Sequence, residues 1–389
     1  MSTSDSADPP LADRAAGLDW RLGGQSGIRI GPTNTIADVP GIRVGHASRV
    51  GDGWLTGVTV VVAEGGAVAA ADVRGGGAAT RETAALEPTG VVDRIDAVAL
   101  SGGSAYGLES ASGVLSALQE RGLGFRVGRS RHEVVPVVPG ASVFDLGRGG
   151  SFRNHPGPPL GRLAAETAFG QRHGSAAEQG SIGAGTGAIT GDMRGGVGSA
   201  SAVLPGGVTV AALVVVNADG TTLDPRSGAP WGLFAELRRA DGRGEFGIRP
   251  PTAREHARAL DRLTAESAGR PALRPLNTTL VVVATDADLD KARLGRLAGT
   301  GHDGMTRAIR PVHTLGDGDV VFALATGRRG LPPAAAGVLP EHRHADAVNQ
   351  VLSAGADVVT RAIVHAVLAA TTITTPAGTV PSYRDLYAS

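Results

Sequence analysis

The stretch LRPLNTTLVVVATDADLDKA, Leu273 to Ala292, joins two kinds of chemistry. Leu280-Val281-Val282-Val283-Ala284 is apolar and rich in β-branched residues, the composition of a buried strand. The three residues before it, Asn277-Thr278-Thr279, are small and polar. Two readings fit them. Small polar residues can lead a chain into a strand. A cut before Thr278 can also create a new N-terminus that carries a hydroxyl and an amine on one residue. A helix should follow, with Asp288 as N-cap and an end near Ile309. A second strand, DVVFALATG, begins at Asp319.

Working outward, residues 218–276 carry Pro, Arg, Asp, Glu and Gly around one helical patch, PTAREHARALDRLTAES, and read as a partly exposed connector. Upstream of it, VTVAALVVVN is a long strand ending at Asn217. Valine runs bounded by glycines between 34 and 75 predict strands and hairpins. IDAVALSGGSAYGLESASGVLSALQERG predicts a strand, a glycine turn and a helix. HRHADAVNQVLSAGADVVTRAIVHAVLAA, from His342 to Ala370, has apolar residues at helical spacing. Residues 1–33 read as a flexible arm. The pattern predicts sheets layered with helices.

Composition narrows the chemistry. The 389 residues hold 59 glycines, only 3% aromatics and no cysteine. Packing therefore rests on Val, Ala, Leu and Ile. Without cysteine there are no disulfides, thiolate nucleophiles or cysteine-based metal sites. Formal net charge is zero, which gives no basis for nucleic-acid binding. The N-terminal residues show no basic start followed by an apolar run, and no segment reaches 18 unbroken apolar residues. No membrane segment or signal peptide is expected, and the location expected is cytoplasmic. Lys291 is the only lysine, so any lysine chemistry would fall on a residue in a polar helix start, where a solvated side chain is the simpler reading.

Several motifs invite functional readings and each has a plainer one. GAGTGA (Gly183–Ala188) lacks the third glycine and the strand–turn–helix context of a dinucleotide loop. GGSAYG places Ser104 between a strand and a helix, but a nucleophile elbow needs glycine where Tyr106 stands. There Gly103-Ser104-Ala105 reads as backbone N–H donors with an N-cap, able to line a pocket. His302, His313 and His342-Arg-His344 do not form a metal-ligand spacing, and no metal or other cofactor is expected. Asp317-Gly318-Asp319 is a turn with two carboxylates, which gain a role only beside a nucleophile. Asn217 can cap a strand end or aim N–H donors into a site.

Taken together, NTIADVPGIRVGH, DVRGGGAATRET, LSGGSAYGL, VPGASVFDLG, GAGTGA, VVVNADG, NTTLVVVATDA, HDGMTRAIRPVHT and DGDVVFALATG occur in this order over roughly residues 34–375. This set resembles the self-processing peptidase family of L-aminopeptidase/D-esterases, β-peptidyl aminopeptidases and nylon-oligomer hydrolases. The resemblance implies an α/β, four-layer αββα sandwich similar to N-terminal nucleophile hydrolases but with its own connectivity. It implies a cut between Asn277 and Thr278, giving parts 34–277 and 278–389 behind the arm. It makes Thr278 the nucleophile, Asn217 the oxyanion stabiliser, and Asp317 and Asp319 the polar pair near the nucleophile. Ser104, Phe144 and Asp192 fall in the implied substrate pocket. Asp192 stands where many relatives carry Lys, and Phe144 near the position where some nylon-oligomer hydrolases carry Tyr.

The chemistry suits this residue set. An N-terminal amine, with a pKa of roughly 7.7–8.0, is partly neutral near pH 7 and can take the hydroxyl proton of its own threonine. No catalytic His, Lys or Cys is then required. The expected activity is hydrolysis of N-terminal residues from small peptides and amino-acid amides or esters. The alternatives are hydrolysis of 6-aminohexanoate oligomers, acyl transfer to an amine, or non-enzymatic binding of a small ligand. The partners expected are a small substrate and further copies of the chain in a homotetramer, with neither nucleic acid nor membrane.

Overall fold

The computed structural model describes residues 27–268, 276–376 and 378–387. Ten strands form one continuous hydrogen-bonded array. They are β1 (Arg29–Ile30), β2 (Ile42–Gly51), β3 (Trp54–Val73), β4 (Ala79–Arg81), β5 (Ile95–Ser101), β6 (Gly140–Ser142), β7 (Gly196–Val203), β8 (Thr209–Asn217), β9 (Thr278–Ala287) and β10 (Val320–Arg329). The order is β1-β7-β8-β9-β10-β3-β5-β6-β4, with β2 also paired to β3. Five main helices cover the array: α1 (Ser110–Glu120), α2 (Pro158–Gly170), α3 (Ala253–Ser267), α4 (Lys291–Ala308) and α5 (Arg343–Ala369).

The 20-residue strand β3 turns one array into two stacked sheets. Its first half pairs with β2 and β5, and its last six residues pair with β10. Between the halves lie Gly65 and Gly66, at φ 80° and 76°. These left-handed values favour glycine, and the β3–β5 register slips there between Val62 and Ala67. At its other end β3 meets β2 through Asp52-Gly53, both at positive φ, the geometry of a tight two-residue hairpin.

Period-two alternation then sorts each strand into layers. On β8, Val210, Ala212, Val214 and Val216 face α4 and α5, as do Val281 and Val283 on β9. Ala211, Leu213, Val215, Leu280, Val282 and Phe322 face the other sheet, against Val44, Val61, Val98 and Leu100. Val58, Val60, Val62, Ala97 and Ala99 pack outward on α1 and α2. The result is the expected αββα sandwich. The parallel segments Leu280–Ala284 of β9 and Val320–Leu324 of β10 are buried and apolar, as parallel strands between covering layers are. Helix α5 is long and apolar because most of its residues are buried against β7 and β8.

Some expected boundaries shift. The α4 N-cap is Asp290, whose carboxylate accepts the Arg293 N–H at 2.8 Å, rather than Asp288. Asp288 still belongs to the strand end, where its N–H donates to the Arg329 carbonyl at 2.8 Å. Lys291 is not simply solvated: its ammonium donates to the carbonyls of Glu87 at 2.9 Å and Ala85 at 3.4 Å. Of the arm expected over 1–33, residues 1–26 lie outside the described residues, and Arg29–Ile30 is an edge strand on β7. The connector over 218–276 is more integrated than its composition implies. Glu245 is buried and grips Arg361 on α5 at 2.5 and 2.6 Å, with Asn34 donating to the same carboxylate at 2.7 Å. Burial alone would raise the Glu245 pKa, yet hydrogen bonds from His365 and Arg361 hold it at about 2. Phe246 and Ala259 pack on Val364, Leu368 and Tyr383. Residues 269–275 of that segment lie outside the described residues.

The inter-sheet core has one large aromatic at its centre, Phe322, fully buried. Phe322→Ala should cost about 3–5 kcal/mol, read as a lower denaturation midpoint in urea.

Candidate active site

The register of β8 and β9 builds the site. Asn217, the last residue of β8, lies directly opposite Thr278, the first of β9. Parity fixes where their side chains go. Thr278 shares its face with Leu280 and Val282, and Asn217 shares its face with Leu213 and Val215, so both project into the gap between the sheets. Both are buried, Asn217 completely. Thr279 has the opposite parity and faces the helix layer.

The peptide bond between Asn277 and Thr278 is held from several sides. The Thr278 hydroxyl donates in a very short contact to the Asn277 carbonyl. The same carbonyl accepts the Gly318 N–H at 2.9 Å, and the Asn277 N–H donates to the Gly316 carbonyl at 2.8 Å. Thus the loop before β10 runs alongside Asn277 as a one-residue parallel bridge. Gly318 is a required glycine for steric reasons: a Cβ there would sit 2.8 Å from the Thr278 hydroxyl oxygen.

The two expected carboxylates shape this loop. Asp319 accepts the Thr279 N–H at 2.6 Å through one oxygen. Through the other it accepts the His313 N–H at 3.1 Å and the His313 ring Nδ1–H at 2.7 Å. Asp317 accepts from the Thr314 N–H at 3.1 Å, the Thr314 hydroxyl at 2.9 Å and the Asp219 N–H at 3.2 Å. Burial, and then the Asp319 charge beside it, raise the Asp317 pKa above the usual carboxylate range. With Asn277 and Thr278 joined, the pair thus clamps the strand entrance, and Asp319 holds Thr279 rather than Thr278.

The amide of Asn217 is fixed in one orientation. Its Oδ1 accepts from the Arg148 guanidinium, in a very short contact, and from the Ile189 N–H at 3.1 Å. Both partners are donors, so the amide cannot be flipped. Its Nδ2 donates to the Phe144 carbonyl at 3.3 Å, which leaves a second amide hydrogen. Arg148 also donates to the Gly187 carbonyl at 2.8 Å and to Asn277 Oδ1 at 3.3 Å. A second arginine, Arg194, is buried and donates to the Thr186 carbonyl at 2.6 Å and the Thr371 carbonyl at 3.1 Å. GAGTGA is therefore a short helical turn whose carbonyls are taken up by two guanidinium groups. Burial lowers each arginine to about 10, partly opposed for Arg148 by the Asp145 charge. Asp145 itself is pushed up to about 6 by burial, against stabilising hydrogen bonds and the Arg148 charge.

Of the expected residues, Thr278, Asn217, Asn277, Asp317 and Asp319 converge. Phe144 contributes its carbonyl. Ser104 lies in another hydrogen-bond set: its N–H donates to the Val143 carbonyl at 2.9 Å, next to Gly103, whose N–H donates to Asp145 at 2.7 Å. The cap there is Gly103, and Ser104 takes φ 52°, so it is not an N-cap. Asp192 is exposed, at the turn between Ile189–Thr190 and Met193–Arg194. The sequence reading missed Arg148, Arg194 and His313. The two arginines each open an R-G-G run, but so does the exposed Arg74, so that pattern does not single them out. His313 lies in the motif HDGMTRAIRPVHT but was weighed only as a metal ligand.

The chain is similar to known proteins in sequence and in fold. Residues 34–380 match the model of peptidase family S58. An uncharacterised aminopeptidase of Mycobacterium tuberculosis is 44% identical over 363 residues, covering 91% of this chain and 98% of that one. A 6-aminohexanoate-oligomer endohydrolase of a Kocuria species is 32% identical over 300 residues, 76% of each chain. The structure of an L-aminopeptidase D-Ala-esterase/amidase from Ochrobactrum anthropi, a variant of the N-terminal nucleophile hydrolase fold, superposes with a TM-score of 0.62. That likeness covers 91% of this chain and 92% of that one at 21% identity, and it speaks to the fold.

The buried Asp145 yields a signed pH dependence. Its folded pKa, about 6, lies above the ordinary aspartate value of 3.8, so the folded state keeps a proton that the unfolded state loses. This residue should therefore lower stability as pH rises from about 4 to about 6. Urea midpoints at pH 4, 5 and 6 should fall less steeply in Asp145→Asn than in the unaltered protein. By sequence match, relatives and fold, the chain belongs to peptidase family S58.

Proposed function

We propose that the chain cleaves itself between Asn277 and Thr278 and then works as an aminopeptidase and amidase with Thr278 as N-terminal nucleophile. Membership of the family makes it a hydrolase of peptide bonds. The observation that carries the finer reading is the facing pair Thr278 and Asn217 in the gap between the sheets, with the Gly318 N–H on the Asn277 carbonyl.

In self-cleavage the Thr278 Oγ adds to the Asn277 carbonyl carbon. The Gly318 N–H stabilises the oxyanion. Collapse breaks the C–N bond, and the hydroxyl proton ends on the nitrogen of Thr278. Water then opens the ester, releasing the Asn277 carboxylate and restoring the hydroxyl. In turnover the freed amine takes the hydroxyl proton as Oγ attacks a substrate amide, and the leaving amine receives that proton. The remaining Asn217 Nδ2 hydrogen and the Gly318 N–H serve the oxyanion. Asp317 and Asp319, already at the strand entrance, orient the new amine and bind a substrate ammonium. Water hydrolyses the acyl ester.

The substrates proposed first are peptides, amino-acid amides and amino-acid esters. The Kocuria relative supports a second reading, cleavage of 6-aminohexanoate oligomers. A homotetramer of cleaved pairs in the cytoplasm goes with either.

Denaturing electrophoresis of purified protein should show two fragments, the smaller beginning Thr-Thr-Leu-Val. Thr278→Ala should give one intact, inactive chain, and an active intact chain would defeat the proposal. Asn217→Ala should lower kcat about 10²–10³-fold, measured on amino-acid p-nitroanilides with protein already shown to be cleaved.

A further inference from the structure

Before cleavage, Asn277 is bound as a substrate would be. Every polar group it carries has a partner. Its N–H donates to the Gly316 carbonyl at 2.8 Å and its carbonyl accepts the Gly318 N–H at 2.9 Å. Its side-chain Oδ1 accepts from Arg148 at 3.3 Å, and its Nδ2 donates to Asp219 at 3.5 Å. The backbone contacts would serve any residue. The side-chain contacts are a matched donor and acceptor, which is what a carboxamide needs.

Self-cleavage and turnover both pass through an ester on the Thr278 Oγ beside the same backbone oxyanion donor, so the ester carbonyl carbon occupies the same place in both. The groups attached to that carbon then enter the same subsites. Once the Asn277 carboxylate departs, the Arg148 and Asp219 contacts are open to the acyl residue of the next substrate.

We propose that Arg148 and Asp219 form a carboxamide-reading subsite, so that the mature enzyme prefers substrates whose acyl residue is asparaginyl. The inference rests on the Thr278 reading above. Leucine is the natural control, because it is nearly isosteric with asparagine but leaves both polar partners unmatched. A site built to bond a polar group rejects an analogue lacking it. Arg148 acts here as a positioning and specificity residue, since it also fixes the Asn217 amide.

The test compares L-asparaginyl and L-leucyl p-nitroanilides with the cleaved enzyme. The ratio of kcat/KM, asparaginyl over leucyl, should be about tenfold or more. It should fall towards one in Arg148→Met or Asp219→Ala, and a fall in either supports the subsite. The ratio is used because Arg148→Met should also lower activity on both substrates through Asn217. If Arg148→Met fails to fold or to cleave, Asp219→Ala and the unaltered enzyme still decide. A ratio of one or less in the unaltered enzyme, or one unchanged in both variants, overturns the subsite. If Thr278→Ala is inactive when that happens, the nucleophile reading stands and only the subsite falls. If Thr278→Ala stays active, both fall.

Discussion

The opposition of Asn217 and Thr278 across β8 and β9 is the constraint on which the rest of the site depends. A one-residue slip of either strand would turn its side chain out of the inter-sheet gap and into the helix layer. The register cannot drift, because each strand alternates between two distinct apolar clusters along its length. Valines on both faces thus do more than fill the core. They set the parity that points a hydroxyl and an amide at the same space.

Around that pair the structure uses backbone more than side chains. Gly318 gives an N–H to the Asn277 carbonyl, and its missing Cβ leaves room for the Thr278 hydroxyl. Gly187 and Thr186 present carbonyls to the two arginines. This is one reason for a glycine-dense, aromatic-poor chain: close approach of main chain to a reacting group needs residues without bulk. The carboxylates hold the loop in place. Asp319 binds both the strand entrance at Thr279 and His313, which lies at φ 57°. Asp317 ties the same loop to Thr314 and Asp219.

Much of this was legible in the sequence. The strand from Thr278, the helix after it and the long C-terminal helix follow from local pattern alone. The layered sandwich came from ordered motifs, which report a family's geometry without explaining it, and the same motifs single out Thr278 and Asn217, which the fold brings face to face. Three things were hidden. The dual life of β3 depends on which half pairs with which neighbour, and only the Gly65-Gly66 pair hints at it. The connector looked exposed because Glu245, Arg361 and Asn34 are far apart in the chain, and their mutual neutralisation exists only once it has folded. Arg148 and Arg194 were hidden because most of the groups that hold them, Asn217, Asn277 and Thr371, are far from them in the chain.

The near absence of lysine has a physical reading in those two arginines. A buried ammonium starts near 10.4, and burial drives it down towards neutrality. A guanidinium starts above 12, so even lowered to about 10 by burial, Arg148 and Arg194 remain charged near pH 7. The guanidinium also has five donors in a planar fork. Arg148 spends them on three oxygens of different segments: Gly187 in the glycine turn, Asn217 on β8 and Asn277 at the bond beside Thr278. A lysine's point charge could not hold three oxygens in that fixed array. Asp145, the buried carboxylate whose charge acts on Arg148, is raised to about 6 by burial and so is largely ionised near pH 7; it offsets part of the charge of the two guanidinium groups. Asp317 and Asp319 lie beside Thr278 on the β10 side. Thr278 therefore sits between positive charge that fixes amide oxygens and carboxylates suited to an amine, an arrangement that distinguishes the two ends of a bound amide.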